Sequence, residues 1–395
     1  MNKDTDYMRK ALQLARNGCG FTSPNPMVGA VIVKEGKIIG SGWHEKYGEP
    51  HAERNALAAC SENPEGAVMY VNLEPCCHYG KQPPCTDAII EAGISRVVVG
   101  SSDPNPLIAG KGIKLLRSKG IEVTENVLKD ECDRLNEVFL HYIRTGLPFV
   151  VMKYAMTMDG KIACYTGASK WITGSSAREH VHRQRHRFSG IMVGAGTVLA
   201  DDPQLTCRID GLQNPVRIIC DTNLRIPPEA QVVATAGEVP TIIATCCEDA
   251  DRCEIYVKKG CRILHTDKKN GHVDLKQLME KLGKLQIDSI LLEGGGTLNW
   301  AALQSGIVKK VQALITALGD LFYIKIQCHN PFLFWLACAC CSFVFTLFMY
   351  ALTVAFENVG EALAVVIMVI QVAGAGGSFP IEVLPAIYQR IYRFF

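Results

Sequence analysis

The sequence predicts an α/β chain of two consecutive units followed by an apolar tail, and three observations carry that expectation. Short apolar runs alternate with amphipathic stretches over the first 316 residues, the pattern of a mixed or largely parallel sheet covered by helices on both faces. The alternation is interrupted at TGLP (145–148), which reads as a linker. Near residue 316 an even spread of charge gives way to long uncharged runs. A length of 395 residues suits two or three domains, and the pattern sets them at 1–146, 147–316 and 317–395.

Taken in order, residues 5–17 read as an amphipathic helix closed by Gly18. VGAVIV and KIIGSGW flank KEG and predict a hairpin. HAERNALAAC follows as a helix that stops before NPEG, and AVMYVNL is a strand. CTDAIIEAG is a helix with Thr86 and Asp87 in its first turn and Gly93 past its end. SRVVVG and IEVTEN are strands on either side of the helix KGIKLLRSKG. LKDECDRLNEVFLHYIRTG reads as one longer amphipathic helix. The second unit opens with FVVMKYAMTMDGKIA, and its further apolar runs are GIMVGAGTVL, PVRIICD, TIIATC and DSILLEGGG.

A net charge of +2 disfavours a broad nucleic-acid-binding face. The 17 cysteines, odd in number and irregularly spaced, do not form a secreted disulfide framework. The start, MNKDTDYMRKALQLARNG, has no apolar core of a signal peptide, so free thiols in a reducing cytosol are expected.

EPHAERNAL (49–57) and NLEPCCHYGKQPPC (72–85) carry the first chemistry. His51 and Glu53 fall at a helix start, where both side chains can project into a cleft above the sheet. His51, Cys76 and Cys85 can hold zinc with three ligands and leave a fourth position to water. Glu53 is then the carboxylate that carries protons, off the metal but beside it. Pro75, Pro83 and Pro84 stiffen the cysteine loop, and Cys85 at a helix N-terminus is expected to favour the thiolate. Cys77 and His78 are rival ligands, and His78 is better suited to face a substrate. A lone His-x-Glu is usually a solvated helix end; the following strand, Pro-Cys and second Cys decide for the metal.

The histidine-x-glutamate and proline-cysteine elements resemble the zinc deaminases of nucleosides and bases, with eight residues between the cysteines in place of two. That longer loop, with SPNPMVGAV (23–31) and GWHEKYGEPHAE (42–53), resembles the deaminase half of the bifunctional riboflavin-biosynthesis deaminase-reductases. The resemblance implies a cytidine-deaminase-like three-layer domain. It makes Glu53 the catalytic acid/base and His51, Cys76 and Cys85 the zinc ligands. It sets Asn25, His44, His78 and Lys81 against the pyrimidine or its ribose phosphate.

LLEGGGTLNWAAL (291–303) is a strand, a glycine run and a helix, a combination that suits a phosphate. VGAGTVLADDPQLTCR (193–208) repeats the idea. With SKWITG (169–174) and MKYAMTMDGKIA (152–163), these segments resemble the reductase half of the same family, whose fold is similar to dihydrofolate reductase. That resemblance implies NADPH bound through Ala155, Trp171, Thr197, Asp201, Gly295, Gly296, Thr297, Leu298, Asn299, Trp300 and Ala301. It sets substrate contacts on Ser169, Arg185, Leu205, Arg208 and Glu293, the two arginines suiting a ribose phosphate. The implied reactions are deamination of 2,5-diamino-6-(ribosylamino)-4(3H)-pyrimidinone 5′-phosphate and reduction of its ribosyl group to ribityl. A homo-oligomer is implied as well, and no nucleic-acid partner.

Further strands are expected after VKKVQALIT, so the second unit reads as C-terminally incomplete. NPFLFWLACACCSFVFTLFMYALTVAF (330–356) is uncharged and long enough to cross a bilayer, and a second apolar stretch runs from 362 to about 383. The tail resembles the C-terminal membrane region of phage-infection-type proteins related to ABC-2 permeases. Lys325, Arg390 and Arg393 would put both ends of this transmembrane helical hairpin in the cytoplasm, with the catalytic units tethered there. Two competing functions follow: a deaminase of flipped nucleic-acid bases, and a membrane transport or secretion component with an inert soluble part.

Overall fold

The computed structural model describes residues 3–80, 82–105, 108–157 and 175–316. The first part runs α1 (Lys3–Ala15), β1 (Gly29–Lys34), β2 (Lys37–Trp43), α2 (Ala52–Ala58), β3 (Val68–Leu73), α3 (Cys85–Glu91), β4 (Arg96–Ser101), α4 (Lys111–Ser118), β5 (Glu122–Thr124), α5 (Lys129–Leu135) and α6 (Glu137–Thr145). Its five strands lie in the order β2-β1-β3-β4-β5. The expected hairpin makes β2 and β1 antiparallel, β1 and β3 are antiparallel too, and β3, β4 and β5 run parallel. Alternation along β1 builds the layers. Ala30 and Ile32 pack with Ala52, Ala56 and Ile89 on one face; Val31 and Val33 meet Met8 and Leu12 of α1 on the other.

The single long helix expected at the end of this part is instead two, parted at Asn136. That side chain is buried, takes the Met27 N–H at 2.9 Å and donates to the Met27 carbonyl at 3.0 Å. Satisfying a distant backbone segment outweighs helix continuity at this point.

The second part runs β6 (Phe149–Thr157), α7 (Ser175–Arg187), β7 (Gly190–Gly194), α8 (Ala195–Asp201), β8 (Val216–Cys220), α9 (Gln231–Ala234), β9 (Thr241–Thr245), α10 (Ala250–Lys258), β10 (Arg262–His265), a small hairpin of β11 (Lys268–Lys269) and β12 (His272–Val273), α11 (Leu275–Lys284), β13 (Ser289–Leu292), α12 (Gly296–Ser305) and β14 (Val308–Thr316). Seven parallel strands lie in the order β10-β9-β8-β7-β13-β6-β14. One face buries Met152, Met192, Ile218 and Leu292 beneath α11; the other buries Ile191, Val193, Ile219 and Ile243 beneath α8, α9 and α10. Succession runs outward from β7 through β8 to β10, while β13 lies on the other flank of β7. A ligand crevice is expected outside the strand ends at such a reversal.

β14 is an edge strand among the described residues. The expected incompleteness beyond it, and the helical hairpin expected of the apolar tail, fall outside the described residues. Among the described residues no helix is long and apolar enough to cross a membrane.

Candidate active sites

The first site forms where two helices start. His51 immediately precedes α2, and Glu53 lies in its first turn. Two glycines of β2 let α2 lie close: a Cβ on Gly40 would stand 2.4 Å from the Ala56 carbonyl oxygen, and one on Gly42 2.5 Å from the Ala56 nitrogen. After β3 the chain turns through the proline-rich loop, and α3 begins at Cys85. His51 Nδ1 stands 3.5 Å from Cys76 Sγ and 3.3 Å from Cys85 Sγ. One ligand atom from each of these residues lies within 4.8 Å of the others. Tetrahedral zinc with bonds of about 2.0–2.3 Å needs ligand atoms about 3.6 Å apart, so the donor set and its spacing fit. Cys77 and His78 stand outside this group.

Electrostatics distinguish the two thiols in a way the sequence reading does not. Hydrogen bonds from the Cys85 thiol and from His51 hold Cys76 well below the ordinary thiol range, and the Cys85 N–H adds a third at 3.4 Å. Cys85, which the sequence marks as the favoured thiolate, is raised by its proton-sharing with Cys76 and by burial. His51 is raised chiefly by Cys76. Glu53 is 3% exposed, and burial pushes its carboxyl upward against the pull of His51.

A cavity of about 240 Å³ opens over these groups. Its wall includes Asn25, His44 and His78. His44 Nδ1 donates to the Pro50 carbonyl at 3.1 Å, which leaves Nε2 to accept from Asn25 Nδ2 at 3.2 Å. Burial lowers the His44 pKa, in keeping with this neutral ring. His78 Nδ1 is buried with no partner among the described residues, a polar atom available to a bound molecule. Lys81 lies outside the described residues.

Glu74, Asp103 and Asn105 are among the lining residues that escape the sequence reading. Glu74 is buried and accepts the N–H groups of Gly110 at 3.0 Å and Ile113 at 3.3 Å. Asp103 is buried, and desolvation pushes its carboxyl up to about 6. The available signal was their position: Glu74 and Asp103 follow the carboxyl ends of β3 and β4.

A second cavity, of about 520 Å³, lies at the ends of β7 and β8 and the start of α12. Thr197, Asp201, Gly295, Gly296, Thr297, Leu298 and Ala301 line it as expected. The turn packs closely at Gly294, where a Cβ would stand 2.9 Å from Asn299 Oδ1 and 3.1 Å from Leu298 Cβ. The glycine turn and the N-terminus of a ten-residue helix suit a phosphate-bearing cofactor. Ala155, Asn299 and Trp300 are not in this wall: Ala155 sits in β6 opposite Leu314, and Asn299 is buried within α12. Ser169 and Trp171 lie outside the described residues.

Among the expected substrate contacts, Arg185 and Glu293 meet each other. Two parallel bonds of 3.0 and 3.1 Å join them, and Arg185 also donates to the Thr206 carbonyl at 3.1 Å. A fork expected to take a phosphate is thus largely committed to a carboxylate. Lys153, not singled out in the sequence, stands 3.4 Å from Glu293. Burial alone would raise Glu293; Lys153 and Arg185 outweigh it and hold the carboxyl at about 2. Leu205 is buried with φ +55°, and Arg208 is exposed, its N–H donating to His182 Nδ1 at 3.3 Å.

Fold and sites together define a two-part enzyme class, a zinc-type deaminase unit joined to a reductase unit. Residues 1–101 match the cytidine and deoxycytidylate deaminase zinc-binding region, and residues 148–319 match the RibD C-terminal domain. The riboflavin biosynthesis protein RibD of Actinobacillus pleuropneumoniae is 55% identical over 312 residues, 79% of this chain and 83% of the relative. RibD of Aquifex aeolicus is 46% identical over 79% of this chain and 86% of its own. The crystal structure of a diaminohydroxyphosphoribosylaminopyrimidine deaminase/5-amino-6-(5-phosphoribosylamino)uracil reductase from Thermotoga maritima superposes with a TM-score of 0.72 at 40% identity, covering 80% of this chain and 87% of that one. A structure of Acinetobacter baumannii RibD gives 0.72 at 36% identity over 83% and 88%. The chain belongs to the RibD family of riboflavin biosynthesis proteins. These family matches stop at residue 319 and lend no support to the permease resemblance of the tail.

Proposed function

We propose that this chain deaminates 2,5-diamino-6-(ribosylamino)-4(3H)-pyrimidinone 5′-phosphate in its first unit, residues 1–146, and reduces the ribosyl group of the product to ribityl with NADPH in its second, residues 147–316. The observation that carries the reading is the approach of one imidazole and two thiols to 3.3–3.5 Å beside a buried carboxyl two residues away.

His51, Cys76 and Cys85 are the residues that would hold zinc. The ion supplies Lewis acidity that brings the pKa of a water down to about 7. Glu53 acts as the proton carrier, taking the two protons of the attacking water in turn and passing one to the ring nitrogen and the other to the departing amine. Burial suits it to this task, because a desolvated carboxyl holds a proton more readily than an exposed one. Asn25 and His44 orient the pyrimidine as a hydrogen-bonded pair, and His78 offers its unpartnered nitrogen. Lys81 is proposed from the resemblance as a contact to the same substrate.

In the second unit, Gly295, Gly296, Thr297, Leu298 and Thr197 would seat the cofactor phosphates, with Asp201 and Ala301 beside them. The cofactor supplies hydride, and the protein positions it against the sugar. Arg208, exposed on the loop that follows α8, is the group proposed to meet the ribose phosphate. Arg185, Lys153 and Glu293 form the charged frame behind it, and Leu205 supports the loop from below. Ala155, Ser169, Trp171, Asn299 and Trp300 are kept as proposed contacts on the strength of the resemblance.

The test is to supply the diaminopyrimidinone phosphate and follow ammonia release and NADPH oxidation separately. Ammonia release without NADPH, and NADPH oxidation only after deamination, is the expected outcome. NADPH oxidation with no ammonia released would contradict the proposed order.

A further inference from the structure

The loop between α1 and β1 carries Asn25 to the first cavity, yet its upstream turn is seated on the second unit. The contact is made by His186, near the end of α7. Its ring is buried, and its two nitrogens do different work. Nδ1 accepts the Gln213 N–H at 3.0 Å, so Nε2 carries the proton and donates to the Cys19 carbonyl at 2.9 Å. Burial lowers the pKa of this ring, in keeping with its neutral form. The ring also meets Phe21 edge to face, with centroids 4.6 Å apart. Between Cys19 and Phe21, Gly20 takes φ +78°, and a Cβ on it would stand 2.4 Å from His186 Nε2. Imidazole and backbone touch directly there, and glycine leaves the room for it.

What this turn holds lies in the first site. The Phe21 carbonyl accepts the Tyr47 N–H at 3.1 Å, and the Thr22 carbonyl accepts the Asn25 N–H at 2.7 Å. Tyr47 and Asn25 both line the first cavity, and Asn25 Nδ2 stands 3.2 Å from His44 Nε2. Asn25 also borders a second, small cavity of about 30 Å³. Phe139 is shared by both walls, and Arg187 and Asp288 of the second unit line the smaller one. With space on two sides, the Asn25 side chain is not fixed by packing alone. The downstream end of the loop is tied within the first unit, where Asn72 and Asn136 hold the backbone of Met27 at 2.9–3.0 Å. The upstream end is tied by His186 from the second.

We propose that His186 is a positioning residue for the first reaction: acting from the second unit, it holds the Cys19–Phe21 turn so that Asn25 stands where the pyrimidine binds. The proposal rests on the reading of Asn25 as a substrate contact. His186 does not line the first cavity, so its removal acts on substrate binding and not on the metal or the proton carrier.

Ammonia release from the diaminopyrimidinone phosphate, with zinc content measured alongside, tests this on the full chain. His186→Ala is expected to raise KM roughly three- to tenfold, the worth of one hydrogen bond, with kcat and zinc content close to those of the unaltered protein. His186→Gln keeps an N–H donor for the Cys19 carbonyl and should return KM to within about twofold. Asn25→Ala raises KM by itself, and adding His186→Ala to it should change nothing further, because the imidazole acts through Asn25. An unchanged KM in His186→Ala overturns the proposal. Loss of zinc, or a fall in kcat alone, also overturns it by marking a general structural role. A KM in His186→Gln as high as in His186→Ala, or an undiminished effect of His186→Ala in the Asn25→Ala background, overturns it and leaves the Asn25 contact standing. A normal KM in Asn25→Ala overturns both the contact and the proposal.

Discussion

Glu293 shows how a few neighbours can reverse what burial alone would do to a charge. Its side chain is 11% exposed, yet Arg185 and Lys153 keep its carboxyl ionised, with a pKa of about 2 against an ordinary 4.5. A depressed acid contributes stability above its unfolded pKa and loses it as the pH falls. The window here runs from about pH 4.5 down to about 2, and the contribution is on the order of 3 kcal/mol. Glu293→Gln is therefore expected to lower stability at pH 6, where it leaves Arg185 and Lys153 without their counter-charge. The gap between variant and unaltered protein should narrow as the pH falls below 4.5. Urea unfolding at a series of pH values measures this, and a gap independent of pH would refute the ion-pair account. The same scale shows what a sequence can give. His51, Glu53, Cys76 and Cys85 were legible because their chemistry is local: two short motifs, each opening a helix. Glu74 and Asp103 were not, because their place in the site depends on which strand ends meet in space.

Among the elements, the loop after α8 illustrates how backbone is held for a site. It carries Leu205 and Arg208, and three anchors fix it: Arg185 on the Thr206 carbonyl, His182 on the Arg208 N–H, and Arg217 on the Gln204 carbonyl. Arg217 is fully buried, and among the described residues it has no carboxylate partner. Its guanidinium donates to Thr241, Gln204, Val239 and twice to Thr235 over 2.8–3.3 Å. Arg217→Ala would strand several buried acceptors, each worth about 1–3 kcal/mol, and is expected to cost at least about 3 kcal/mol in total. A change below about 1 kcal/mol in the urea unfolding free energy would contradict this. The elements themselves were largely legible, since period and turn residues mark them. The break at Asn136 was not, because helical periodicity continues through it and its partner Met27 lies 109 residues away.

At the scale of the whole molecule, the two parts touch through specific polar contacts. Tyr142 donates to the Gly283 carbonyl at 2.9 Å, Lys310 meets Glu137 at 2.9 Å, and His186 Nε2 meets the Cys19 carbonyl at 2.9 Å. α7, which carries His186, also carries Arg185 of the second site. Such contacts join residues up to 173 positions apart, which no local pattern reveals. The order of the two units, by contrast, was legible from TGLP and the renewed α/β alternation. Across both units the account depends most on a metal held beside an acid in the first. Metal content and ammonia release, measured together on the unaltered chain and on Glu53→Gln after purification in reducing, chelator-free buffer, test that dependence directly. The account predicts one zinc per chain in both proteins and an ammonia rate lower by roughly 10²–10⁴ in the variant. Zinc absent from the unaltered chain, or turnover in Glu53→Gln close to the original, would contradict it.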